Sequence, residues 1–265
     1  GVYESHEVVN RPLLERMLIA KDYRARAYAT RVAGRWHDRL DSSLKLLDRS
    51  VTDKSPRVRL EAVVACSDIH SANSMVVAAK AASHPMDRFT NFALTQTVHA
   101  LAPKWQPALS QGHLNLNDPA GLVYMLRAYG GKDVAGQVRN LLLSNTVSAE
   151  GRRQLLYLLA RVGTASDLQT VFRHAQEDSQ LLQSLPEIAA SRRLVPSGSV
   201  HRELVALLEN QDASSRASAA RLAGLWNQHQ LIPLLEPIVD SNQEDQIRAA
   251  AIRSLSELSP ETATK

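Results

Sequence analysis

The chain has 265 residues, 44% of them hydrophobic, and carries 31 Lys and Arg against 27 Asp and Glu for a formal net charge of +4. Its single cysteine, Cys66, excludes an internal disulfide and any zinc site built from several cysteines, and no run of about 18 apolar residues is present to span a bilayer. Aromatic residues make up only 5%, and the abundance of alanine and leucine favours closely packed helices over a β-sandwich.

The opening residues, GVYESHEVVNRP, have no basic start followed by an apolar stretch, so they do not read as a signal peptide; they read as the interior of a longer polypeptide. The first apolar helical segment is LLERMLIA (13–20). A second helix follows and contains RAYATRVAGRW (26–36), with Ala25, Ala29, Val32, Ala33 and Trp36 spaced along one helical face. Gly34 sits inside it at a cost in helix propensity, which close approach of a neighbouring helix would explain. On the polar face Arg24, Tyr28, Arg31 and Arg35 fall at i, i+4, i+7 and i+11, with Arg39 just beyond. Guanidiniums beside an aromatic ring suit phosphate or an acidic protein segment; a solvated face, or salt bridges to Glu61, is the competing reading.

The next pair is SSLKLLDRSV (42–51) and RLEAVVACSDI (59–69), joined by the loop VTDKSP. Asp53 is placed to bond backbone amides at the following helix start, and Pro56 is tolerated in its first turn. Further helices are predicted near 72–82, 87–102, 119–129, 132–144, 149–162, 165–175, 178–193 and 199–210, with breaks at Gly130-Gly131, Gly163 and Pro196-Ser197-Gly198. Near the end RASAARLAGLW (216–226) matches the string at 26–36 at seven of eleven positions, placing Ala219, Leu222, Ala223 and Trp226 on one stripe and Gly224 inside the helix. Weaker copies stand at 59–69 and 248–258, each after a polar loop and an apolar segment such as RELVALLEN (202–210) or LIPLLEPIV (231–239). The unit is helix, short polar turn, helix, too small to bury its apolar face alone, so neighbours must stack.

Asp53, Asn210 and Asn242 each stand six residues before an arginine, namely Arg59, Arg216 and Arg248; Arg26 has Ala20 there. With this spacing the units resemble HEAT repeats. The resemblance implies an all-α fold, a right-handed α-solenoid of about eight hairpins forming one continuous domain over 1–265. It also implies a polar ladder between stacked units, built from Arg26, Asp53, Arg59, Asn210, Arg216, Asn242 and Arg248.

Residues 86–105, MDRFTNFALTQTVHALAPKW, carry a narrower resemblance. With RPLLERML (11–18) and SPRVRLEAV (55–63), they make residues 5–110 similar to the HEAT-repeat region of large dehydrogenase-like, haem-binding proteins of planctomycete- and verrucomicrobia-type bacteria. Met86, Asp87, Phe89, Ala93, Leu94, Thr97, Val98, Leu101, Ala102, Pro103 and Trp105 fit that family's segment. A β-propeller usually precedes such repeats and a c-type cytochrome domain often follows. The resemblance implies a periplasmic or exported setting, with the chemistry in the neighbouring domains.

Within the chain, CSDIH (66–70) offers one thiol where haem attachment needs C-x-x-C-H. Cys66 is expected to pack as a small apolar group and His70 to end its helix. The nine histidines show no H-E-x-x-H, and no phosphate-cradling or nucleophile motif is present. Glu177-Asp178 and Glu244-Asp245 are expected to sit at helix starts, where negative charge is favoured. No catalytic, cofactor-binding or metal-binding residue is assigned. The expected function is a non-enzymatic scaffold whose partners are proteins, either neighbouring domains or a peptide. A HEAT-like DNA glycosylase is the alternative, against which the last 65 residues weigh, with 6 Lys and Arg against 9 Asp and Glu.

Overall fold

The computed structural model describes residues 8–114, 118–144, 146–240 and 244–259. Among them are sixteen α-helices and three short 3-10 segments, and no strand. The chain divides into two compact units, Gly1–Gly130 and Gly131–Lys265.

In the first unit the helices are α1 (Arg11–Leu18), α2 (Tyr23–Arg35), α3 (Ser43–Ser50), α4 (Pro56–Ser67), α5 (Ala72–Ala79), α6 (Arg88–Ala100), α7 (Ala102–Ser110) and α8 (Pro119–Tyr129). Even-numbered helices pack on one another in succession, α2 on α4, α4 on α6 and α6 on α8. Odd-numbered helices do the same, α1 on α3, α3 on α5 and α5 on α7. The core lies between these two rows. From α2 it takes Ala29, Val32, Ala33 and Trp36, all buried, whereas Ala25 is half-buried at the edge. Gly34 stands where the α2–α4 contact is tightest: a Cβ there would lie 2.4 Å from the Ala65 Cβ.

The second unit holds α9 (Ala135–Leu143), α10 (Ala149–Val162), α11 (Ala165–Ala175), α12 (Ser179–Arg192), α13 (His201–Leu208), α14 (Ala213–Leu225), α15 (Ile232–Val239) and α16 (Asp245–Leu258). Here α10, α12, α14 and α16 pack in succession. Ala219, Leu222, Ala223 and Trp226 are buried, and Trp226 meets Phe172 edge to face at 4.9 Å between ring centres. Gly224 repeats the close approach, since a Cβ there would lie 2.7 Å from the Ser254 Cα of α16.

Local chemistry fixes the helix starts. Asp22, Asp87, Asp178 and Asp212 each accept a hydrogen bond from the backbone N–H two or three residues on, and Thr164 forms a reciprocal capping box with Asp167. Gly130 ends α8 in the left-handed region at φ 65°, where glycine has no steric cost.

Three local features depart, wholly or in part, from the sequence-based expectation. Residues 102–110 form a helix that lies outside the predicted segments, with Pro107 in its interior. Pro103 lies in the first turn, where its missing donor costs nothing, and the buried Trp105 indole donates to the Val98 carbonyl at 2.8 Å, closing the corner from α6. Asp53 is not the N-cap of α4, a position Ser55 holds; its carboxylate accepts from the Ser55 amide at 2.8 Å and at the same time pairs with Arg26. His70 lies beyond the end of α4 in an exposed turn, since that helix stops at Ser67.

Candidate interaction surface

The solvent side of α2 follows from its core side: with Ala29, Val32 and Ala33 turned inward, Arg24, Arg31 and Arg35 are left exposed and Tyr28 half-buried. Arg24 lies over the Tyr23 ring at 5.8 Å. Arg31 reaches across to α4 and grips Glu61 with two bonds, Nε to Oε2 at 3.1 Å and Nη2 to Oε1 at 2.7 Å. Arg57, one turn before Glu61 on α4, approaches the same Oε1 at 2.8 Å. Glu61 is buried beneath the pair while each guanidinium stays about half exposed, 55% and 53%. One carboxylate shared by two arginines leaves net positive charge on the surface.

Beside this lies a groove of about 700 Å³ between α4 and α6, lined chiefly by Leu60, Val64, Arg88, Phe89, Phe92 and Gln96. Val64, Phe89 and Phe92 are 45%, 56% and 66% exposed. Arg88 lies over the Phe89 ring, 4.7 Å from its centre. Sequence singled out neither the α4 residues of the groove nor Phe92; the readable sign on α6 is that Phe89 and Phe92 stand off the stripe of Leu94, Thr97 and Val98, which is buried. A second depression of about 600 Å³, between α1 and α3, mixes both signs of charge through Glu15, Arg16 and Arg49.

The remaining arginines singled out by spacing face turns. Arg26 bonds Asp53 through Nε at 2.7 Å and Nη2 at 2.9 Å, and its Nη1 donates to the carbonyls of Ala20 and Lys21. Burial by itself would raise the Asp53 carboxyl, but the Arg26 bonds and the Ser55 amide outweigh it and hold the group below the ordinary carboxylate range. Arg59 donates to the carbonyls of Asp53, Lys54 and Pro85, and Arg216 to those of Asn210 and Gln211. The residue six positions back therefore supplies its main-chain oxygen; the Asn210 side chain instead accepts from the Asp212 amide. Arg248 pairs with Asp245, and Asn242 lies outside the described residues.

Cys66 is fully buried, and burial pushes its thiol up to about 12, far from a thiolate ligand or nucleophile. Among the described residues no group of three or more His, Cys, Asp or Glu is placed to hold a metal ion, and no helix is long and apolar enough to cross a membrane. Comparison of the sequence with protein-family models and with curated proteins finds no match in either.

Proposed function

We propose that the chain is a non-enzymatic protein-interaction scaffold whose hairpins are HEAT-like repeats of the right-handed α-solenoid class, positioning a dehydrogenase-like propeller and a cytochrome c domain within a larger redox protein. The observation that carries the scaffold reading is the succession of even-numbered helices in each unit, in which near-copies of one string play one role. Ala33, Gly34 and Trp36 at the end of α2, and Ala223, Gly224 and Trp226 at the end of α14, occupy matching buried positions, and each glycine meets the next even-numbered helix, at Ala65 or Ser254. Such stacking presents extended surface assembled from many modest contacts. The redox setting rests on the sequence resemblance over residues 5–110.

Reading the complete gene and cross-linking the full-length protein tests this. The expected result is a propeller and a C-x-x-C-H segment in the same polypeptide, with cross-links from Lys54 or Lys104 to one of them. A gene encoding neither would sink the redox part. The DNA-binding alternative draws on the arginine row of α2. Binding of duplex DNA at about 150 mM salt with micromolar or tighter affinity, lost in Arg31→Glu, would favour it over the scaffold.

A further inference from the structure

The geometry points to the α4–α6 groove, with the arginines beside it, as the docking site for an acidic amphipathic helical segment of a partner protein lying across α2, α4 and α6. This rests on the scaffold reading above and names the chemistry of its partner.

The apolar half of the argument is the groove itself. Phe89, Phe92 and Val64 expose large apolar side chains side by side, and Leu60 continues the surface beneath them. Core packing accounts for neither ring, because α6 buries Thr90, Leu94, Thr97 and Val98 instead. Contiguous exposed apolar surface beside charge is what a binding site looks like before its partner arrives.

Charge supplies the other half. Helices α2, α4 and α6 carry Arg24, Arg26, Arg31, Arg35, Arg57, Arg59 and Arg88 against the single carboxylate of Glu61. Arg26 and Arg59 are buried, so the exposed cations are Arg24, Arg31, Arg35, Arg57 and Arg88. The acids at these helix starts, Asp22 and Asp87, cap backbone amides and are outnumbered by the exposed cations. An apolar groove beside an excess of one charge selects a segment with apolar residues on one face and the opposite charge beside them.

Spacing suits a helix that crosses the row. Arg24, Arg57 and Arg88 stand at the second, second and first positions of α2, α4 and α6, one guanidinium at the start of each neighbouring helix. Packed helices lie about 8–10 Å apart, and seven residues of an α-helix rise about 10.5 Å. Carboxylates at i, i+7 and i+14 on a crossing helix therefore meet the three in turn. A base has less room to stack, because Arg88 already covers one face of the Phe89 ring.

The test is fluorescence anisotropy on the whole chain with a labelled synthetic helix of roughly 18 residues, bearing leucines on one face and glutamates at seven-residue spacing. The comparison probes are a scrambled peptide of the same composition, a version with lysine for glutamate, and an oligothymidylate of about 20 nucleotides. The acidic amphipathic helix is expected to bind at least about tenfold tighter than any of the three at about 150 mM salt. Phe92→Glu and Arg57→Glu should each weaken it about tenfold or more with the melting temperature held, while Ile252→Glu in the second unit leaves it unchanged. Equal binding of the scrambled peptide, preference for oligothymidylate, indifference to Phe92→Glu, or a dimer that Phe92→Glu dissolves would each overturn the proposal. Failure here leaves the cross-linking result on the scaffold standing or falling by itself.

Discussion

The two units use nearly the same eleven residues for the same internal task and dress them differently outside. Ala29, Ala33, Gly34 and Trp36 in the first copy and Ala219, Ala223, Gly224 and Trp226 in the second are buried, and the central arginine grips a glutamate of the next even-numbered helix, Arg31 with Glu61 and Arg221 with Glu257. Of the four positions that differ, Thr30 against Ala220 and Val32 against Leu222 are buried in both, the half-buried Tyr28 is replaced by a buried Ser218, and only Arg35 against Leu225 lies outside the core in both copies. The wider contrast follows the same line. In the first unit α2, α4, α6 and α8 carry eight arginines with Glu61 as the one acid, whereas in the second α10, α12, α14 and α16 spread their arginines among Glu150, Glu187, Asp245 and Glu257. Packing fixes what neighbouring helices must share; the outward residues are left to distinguish one unit from the other.

The strongest way to break that equivalence is to delete the shared anchor. Trp36→Ala and Trp226→Ala should each cost about 3–5 kcal/mol, read by urea unfolding followed by circular dichroism. A loss below about 1 kcal/mol at either site would show that the two strings do different work.

Next comes the Arg26–Asp53 pair. Asp53→Asn should cost about 1.5–3 kcal/mol near neutral pH, because it leaves a buried guanidinium with its best acceptor weakened. The folded-state pKa of Asp53 lies below its unfolded value, so its contribution is complete above about pH 4–5 and is lost as pH falls through the folded value. An acid titration of Asp53→Asn should accordingly show a flatter decline than the parent. Asp167 in the second unit is held down in the same direction, burial being outweighed by Thr164 and Arg139. Asp167→Asn should flatten the same limb.

The glycines sharpen the comparison further. Gly34→Ala and Gly224→Ala should each destabilise by about 1–3 kcal/mol through overpacking. Their rescue differs. The clash at Gly34 is closest to the Ala65 Cβ, so Ala65→Gly should recover much of the loss, whereas Gly224 faces the Ser254 Cα itself at 2.7 Å and Ser254→Gly should recover little. Thermal melts of the four single and two double variants decide it. Smallest is the surface pair: Arg31→Met and Arg221→Met should cost only about 0.2–1 kcal/mol, with Arg31 the milder because Glu61 keeps Arg57. A larger cost for Arg31 in chemical denaturation would mean that Glu61 depends on both cations.

Apolar periodicity sufficed for the helical class of the chain and for most helix positions, because burial on one face imposes a 3.6-residue rhythm that survives without knowledge of neighbours. It also marked Gly34 and Gly224 as close approaches and Trp36 and Trp226 as core. The helix at 102–110 was hidden, since its stability comes from the tertiary burial of Trp105 against α6 while its prolines speak locally against it. The turn position of Asp53 shows its bond to the Ser55 amide at the start of α4, but not its second partner, an arginine 27 residues earlier. The groove was out of reach for the same reason: Val64 and Phe92 become neighbours only when α4 and α6 pack. Sequence sets which face of each helix turns away from water; which outward side chains meet across two helices is decided by packing distances and angles that no single helix encodes.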